Sequence, residues 1–312
     1  MNDLISIIMA TYNGEKYICQ QIDSILNQTY QNFELIIGDD CSKDSTVQIA
    51  EKYSAEDKRI SIIKNEKNLG FKKNFENLLN HTKGKFIALS DQDDIWTPDH
   101  LEVLIKNIGE HDLACSNATL VDADGNSMNS TMKDIMRNND FQHDQKSIRI
   151  HLMHYNFVQG STCLITPELV KKALPIPENV QFHDWWIGLC AAFSKGIVYI
   201  DKPLLFYRQH GSNVTENKRW TIFNKIFSEP FKNRKYWSEQ IELIETFCKN
   251  FTFNSQEDLD DAKKDLEYFK NLLNKKPLKS LPYFKKHYKA IYFASGTPLK
   301  ILRIIKLFIL RI

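Results

Sequence analysis

The six cysteines, Cys19, Cys41, Cys115, Cys163, Cys190 and Cys248, lie far apart, and no two form a Cys-x-x-Cys spacing. A zinc ribbon and a thioredoxin motif are thereby excluded, and a disulfide scaffold is not expected; reduced, cytosolic thiols are. The opening Met1-Asn2-Asp3-Leu4 lacks the basic stretch of a secretory leader, so none is expected. No apolar run reaches membrane-spanning length without a charge interrupting it. There is no internal repeat and no low-complexity segment. What is present is ordinary for a folded chain of 312 residues: 42% apolar, 12% aromatic and 26% charged. Such a chain can bury a sizeable core, which excludes wholesale disorder.

The formal net charge of +2 conceals an asymmetry. Residues 1–213 hold 21 Lys and Arg against 28 Asp and Glu, whereas residues 214–312 hold 20 against 11. From Lys275 onward there are ten cations and no acid. An acidic body with a basic tail points to a partner surface of negative charge.

The first half alternates two periodicities. Leu4–Ala10 is a continuous apolar run of strand length, and Ile18, Ile22, Ile25 and Leu26 then recur at helical spacing. Further strands are predicted at 33–38, 60–63 and 86–89. Helices are predicted at 44–53, capped by Ser42 or Asp44, and through Phe75, Leu78 and Leu79. Apolar strands alternating with helices predict an α/β fold on a parallel sheet. Beyond Asp112 strands are predicted at 113–121, 157–166, 197–200 and 204–209, and a helix at 185–193. Residues 126–147 read as a mobile loop, and two amphipathic helices are expected through Ile241–Phe251 and Leu259–Leu273.

Ligands of such sheets sit beyond the carboxyl ends of the strands. There the chain places Thr11-Tyr12-Asn13-Gly14, then Asp39-Asp40, then Asp91-Gln92-Asp93-Asp94. Converging carboxylates repel unless a cation or hydrogen-bonding ligand joins them. Asp91-x-Asp93 suits Mg²⁺ or Mn²⁺ shared with phosphate oxygens; equally, it would serve as a capping cluster for the helix after Pro98. Asp40 could accept from a pyrimidine N3–H with Tyr12 stacked on the ring, although Tyr12 alone also reads as an ordinary loop aromatic. In His183-Asp184-Trp185-Trp186, a carboxylate beside two tryptophans is desolvated toward the pKa of a working base, and Trp185 and Trp186 offer faces for a sugar. The alternative is a helix-capping Asp with core tryptophans. Arg208 could fork onto phosphate and His210 could ligate a metal or diphosphate; a lone strand-end histidine also has a purely structural reading.

In order along the chain, the segments 8–14, 39–46, 68–70, 90–96, 183–186 and 207–213 closely resemble family 2 glycosyltransferases with the GT-A fold. Their wording is most similar to bacterial rhamnosyltransferases of cell-wall and capsular polysaccharide synthesis. The resemblance covers about the first two thirds of the chain. It implies a GT-A catalytic domain over 1–213, with a nucleotide-sugar half at about 1–111 and an acceptor half at about 112–213, followed by a helical C-terminal region over 214–312. It further implies a nucleotide pocket containing Thr11, Tyr12 and Asp40, Lys73 beside the nucleotide, and a DXD motif of Asp91 and Asp93 with Asp93 on Mg²⁺ or Mn²⁺. His210 falls at a position that helps bind metal or diphosphate, and Asp184 at the catalytic base. His183 departs from the wider family, which has Glu there. The implied reaction is inverting transfer, best guess L-rhamnose from dTDP-L-rhamnose, onto a lipid-linked glycan acceptor. A UDP-hexose or UDP-HexNAc donor is the alternative, and an inactive assembly scaffold is the alternative of another class; a scaffold would be expected to have lost Asp93 or Asp184. Other nucleotide enzymes lack support, because residues 11–14 are neither a Gly-rich basic phosphate loop nor Gly-x-Gly-x-x-Gly.

The C-terminal residues 298–312 are amphipathic if helical. Ile301, Leu302, Ile304, Ile305, Phe308, Ile309 and Ile312 share one arc; Lys300, Arg303, Lys306 and Arg311 share the other. This pattern predicts an interfacial helix on an anionic leaflet, and thus a peripheral protein at the inner face of the cell membrane. Packing on the body or on a second subunit of a homodimer is the alternative. Nucleic acid is not expected, as the basic region carries no recognisable binding motif.

Overall fold

The structure, a computed structural model, describes residues 3–135, 144–210 and 234–292. The nucleotide half runs β1 (Ile5–Thr11), α1 (Ile18–Leu26), β2 (Phe33–Asp39), α2 (Thr46–Glu56), β3 (Ile60–Lys64), α3 (Phe71–Leu79) and β4 (Phe86–Asp91). These strands pair in parallel in the order β3-β2-β1-β4. Their runs are apolar throughout because both faces are covered. Ile5, Ile7 and Met9 of β1 face the cluster that holds Ile18, Ile22 and Ile25 of α1, while Ile8 faces the cluster that holds Phe75 and Leu78 of α3. Gly70 precedes α3 at φ 78°, a conformation that favours glycine.

The sheet continues through β5 (Ile95–Trp96), α4 (His100–Asn107), β6 (Leu113–Val121), β7 (Ser127–Thr131), α5 (Met132–Ile135), α6 (Gln145–His154), β8 (Cys163–Ile165), α7 (Pro167–Ala173), α8 (His183–Ala192) and β9 (Ile197–Arg208). Short β8 joins β4 to β6 antiparallel, β9 runs parallel to β6, and β5 and β7 pair antiparallel with β9 and β6. The long ladders are parallel.

Three expectations need correction here. Residues 127–131 are a strand on the edge of β6 followed by α5, not a loop; 136–143 lie outside the described residues. Only Cys163–Ile165 of the expected strand 157–166 is a paired strand, because the chain turns through a 3-10 segment at Gly160–Thr162. The two strands expected at 197–209 are one, with register shifts against β6 around Asn117. All six cysteines are free.

Helices α9 (Arg234–Asn250) and α10 (Gln256–Leu273) occur where periodicity placed them, and α11 (Pro277–Tyr292) follows. They do not form a separate core. Phe247, Phe269 and Phe284 share a buried cluster with Trp186 and Phe193. Buried His154 of α6 meets buried Asp265 of α10 at 3.0 Å. Among the described residues no helix is long and apolar enough to cross a membrane. The amphipathic segment 298–312 lies outside the described residues.

Candidate active site

Strand ends β1, β2 and β4 open onto a cleft of about 340 Å³, lined by Thr11, Tyr12, Asp40, Asp91, Asp93 and Asp184 among others. Tyr12 is 47% exposed there, which leaves its ring free to stack on a flat ligand. Its backbone is clamped by the Gln92 side chain: Tyr12 N donates to Oε1 and Gln92 Nε2 donates to Tyr12 O, both at 3.0 Å. Gly14 makes room for that clamp, because a Cβ there would lie 2.0 Å from Gln92 Oε1. Gln92, between Asp91 and Asp93, thus ties the carboxylate turn to Tyr12.

Asp40 is buried and shapes the pocket wall. Its Oδ1 accepts from Asn65 Nδ2 (2.9 Å) and Leu69 N (2.7 Å), and its Oδ2 from Gly70 N (2.8 Å). Two lone pairs per oxygen leave one on Oδ2 for a ligand N–H. Thr11 is buried, with its hydroxyl directed at Gly38 O (3.3 Å). Asp44 accepts from Glu15 N and Thr46 N at 3.0 Å, joining the β1 and β2 loops, while Ser45 occupies the cap position of α2.

The acidic turn does not cap α4, whose cap position belongs to Asp99. Burial first, then Asp94, Asp93 and Asp184, push the Asp91 carboxyl well above its usual range. Burial and Asp93 lift Asp94 to about 8. Asp93 Oδ2 lies 2.8 Å from His210 Nε2, and the His210 ring stacks on Tyr17 with centroids 4.9 Å apart. Crowded carboxylates beside an imidazole suit a divalent cation, whose charge would relieve their repulsion. Among the described residues no three His, Cys, Asp or Glu side chains cluster closely enough to hold a metal by themselves. Asp93 and His210 would supply two ligands, and phosphate and water oxygens the remainder.

Asp184 lies in the first turn of α8, whose cap position is Phe182. Burial lifts its carboxyl to about 6, against hydrogen bonds that lower it. Those bonds come from Trp185 N (2.6 Å) and Asn156 Nδ2 (3.1 Å) to Oδ1, and from Gly160 N (3.2 Å) to Oδ2. Asn156, Gly160, Gln92 and Asn65 were not singled out from the sequence. Gln92 stood within a quoted motif, but nothing local to the other three signals their role.

Three expected site residues lie elsewhere. Trp186 is 1% exposed, donates from Nε1 to Ala173 O and meets Phe247 edge-on, so its faces cannot stack on a sugar. Arg208 is 2% exposed, and its guanidinium bonds Asp93 O, Ala123 O and Gln20 Oε1 and packs on Tyr17. It holds the acidic turn from behind, leaving no fork for phosphate. Lys73 pairs with Glu76 at 2.9 Å and does not line the cleft. Trp185 is half-buried and donates from Nε1 to Leu152 O.

The model of the family described as glycosyl transferase family 2 matches residues 6–164. A glycosyltransferase of Methanocaldococcus jannaschii is 30% identical over 257 residues, 78% of this chain and 85% of its own. An Escherichia coli protein, UDP-Glc:alpha-D-GlcNAc-diphosphoundecaprenol beta-1,3-glucosyltransferase WfgD, is 42% identical over 102 residues, 33% of this chain and 40% of its own. Among solved structures, S. aureus TarS 1-349 in complex with UDP superposes with a TM-score of 0.57 at 20% identity, covering 86% of this chain and 70% of TarS 1-349. Mannosyltransferase PcManGT of Pyrobaculum calidifontis, in complex with GDP-Man and Mn²⁺, gives 0.56 at 14%, covering 99% and 82%. The fold is GT-A.

Proposed function

The chain belongs to glycosyl transferase family 2, and from that premise we propose that it moves a sugar from a nucleoside diphosphate onto a hydroxyl of a lipid-linked glycan, with inversion. One observation carries this reading: a carboxylate lifted to about 6 shares a cleft with Asp93, whose partner is His210, and with the Tyr12–Asp40 wall. Tyr12 stacks on the base, and the free lone pair of Asp40 Oδ2 accepts its N–H. Asp91 faces the donor, and Asp93 and His210 would hold Mg²⁺ or Mn²⁺. When bound, that cation supplies Lewis-acid neutralisation of the leaving diphosphate. PcManGT was solved with Mn²⁺ and a nucleotide sugar, which supports a divalent requirement here.

Asp184 takes the proton from the acceptor hydroxyl. A base with a pKa near 6 is charged at neutral pH yet basic enough to accept that proton, a contribution of about 10²–10⁴-fold. The acceptor oxygen bonds to the anomeric carbon as that carbon's bond to the phosphate oxygen breaks, and the nucleoside diphosphate departs with the bonding pair.

The proposed donor is dTDP-L-rhamnose, supported by the wording of residues 90–96, 183–186 and 207–213. A UDP-hexose or UDP-HexNAc is the second reading, favoured by the E. coli relative, named for UDP-Glc, and by TarS, solved with UDP. Thermal unfolding with Mn²⁺ and dTDP, UDP or GDP separates them: a ligand at 100 times its Kd stabilises by about 2.7 kcal/mol. A larger metal-dependent shift with dTDP upholds rhamnose, and a larger one with UDP moves the donor to the second reading. Asp184→Asn should abolish transfer and keep the nucleotide-induced shift. Transfer near the wild-type rate would refute the base, and no shift with any nucleotide would revive the scaffold reading.

A further inference from the structure

Asp184 receives its one side-chain hydrogen bond, among those resolved here, from Asn156, two residues past the end of α6. The amide of Asn156 has a fixed orientation. Its Oδ1 accepts from Val158 N at 3.0 Å, closing an Asx-type turn, which directs Nδ2 at Asp184. The same turn brings Gly160 N to the other carboxylate oxygen. This stretch was expected to be a strand; it leaves the extended conformation where it wraps the carboxylate.

The turn is also anchored from the C-terminal helices. Tyr236 of α9 donates its hydroxyl to His154 O at the end of α6, and its ring stacks on Tyr155 at 6.2 Å. Trp185 Nε1 binds Leu152 O at 2.7 Å, so the residue next to the base grips the same helix end. Terminal carbonyls of a helix lack intrahelical partners, and these two aromatic donors satisfy a pair of them.

We propose that Asn156 is a positioning residue for Asp184, fixing the orientation of the carboxylate and its ionised form, with α9 acting on the base through Tyr236. The inference rests on the transfer reaction proposed above. A donor hydrogen bond to a carboxylate favours the charged form. The other ionisable groups about Asp184 are Asp91 on β4, Cys163 on β8 and the neighbouring His183 on α8. His183 is held neutral by burial, which lowers it to about 3, so it supplies no positive charge to take over from Asn156.

The test compares wild type with Asn156→Ala, Asn156→Asp and Tyr236→Phe. Asn156→Asp keeps the acceptor for Val158 N, and hence the turn, but sets a second carboxylate against the first. Two readouts are taken across pH 5–9 (roughly the working range of such a base). One is the carboxyl ¹³C titration of labelled aspartates, with Asp184→Asn identifying the resonance. The other is release of UDP from UDP-glucose and of dTDP from dTDP-L-rhamnose, with Mn²⁺ and water as acceptor. Asn156→Ala should raise the Asp184 titration and the acid limb of kcat by about one pH unit. Asn156→Asp should raise both further and Tyr236→Phe less, with KM for the donor unchanged. An Asp184 titration identical in all four proteins would overturn the proposal, as would a uniform loss of kcat with no movement of the limb. A shifted titration without turnover in any protein, wild type included, would uphold the hold on the carboxylate and refute the transfer reaction instead.

Discussion

Burial raises Asp184 to about 6 while three donors on its oxygens pull it down, and the balance has two separable consequences. In the proposed role as base Asp184 acts in its ionised form, so kcat should fall tenfold per unit as pH drops below about 6. Stability moves the other way. The folded carboxyl holds its proton more tightly than an unperturbed aspartate does, so between roughly pH 6 and pH 4 the folded state binds the extra proton. This group therefore favours folding progressively as pH falls through that window. Activity lost near pH 6 with an unchanged melting temperature would assign the limb to the base; a parallel fall in melting temperature would assign it to unfolding. At this scale the sequence was informative about chemistry: the neighbouring tryptophans suggested a desolvated acid. It was uninformative about which face each ring presents. Trp185 and Trp186 adjoin in the chain, yet α8 turns one toward α6 and the other into the core.

Elements explain why Arg208 reads differently in the fold than in the motif. Strand β9 ends at Arg208, and Arg208 N meets Asp94 Oδ1 at 3.2 Å while Nε meets Asp93 O at 2.9 Å. With Gln20 Oε1 and Ala123 O, these bonds bind α1, the turn after β4 and the turn after β6 to one side chain. Leaving a buried acceptor of such a network unpaired costs about 1–3 kcal/mol, and Arg208 serves several. Arg208→Ala should therefore lower the melting temperature strongly and weaken the Mn²⁺-dependent nucleotide shift with it. A variant with native stability and reduced affinity alone would return Arg208 to the phosphate. The βα units were legible because apolar runs buried on both faces leave a period that survives without tertiary context. Strand β8, three residues long, carries no such period. Its place between β4 and β6 follows from the turn that delivers Asn156 and Gly160 to the base.

At the scale of the molecule, the charge split of the sequence, an acidic 1–213 and a basic 214–312, motivates separate proposals for the two parts. The cleft is lined by residues from Ala10 to Tyr207, and the described helices α9 to α11 reach it through α6 and the shared core. The cations beyond Lys275 thus have no described part in donor binding. Four of them, Lys300, Arg303, Lys306 and Arg311, flank the apolar arc of residues 298–312. Each cation at an anionic leaflet contributes about 1 kcal/mol, before the apolar face is counted. Deleting 298–312 should weaken binding to phosphatidylglycerol-containing vesicles by roughly 10³-fold and leave the Mn²⁺-dependent nucleotide shift intact. Raising salt should weaken the full-length protein's binding in part, since ions screen the charges and spare the apolar contact. Vesicle binding unchanged by the deletion would place the membrane contact elsewhere. Loss of the nucleotide shift together with vesicle binding would mean that the segment packs on the catalytic body, the arrangement that an amphipathic helix with a second apolar surface to cover would equally satisfy.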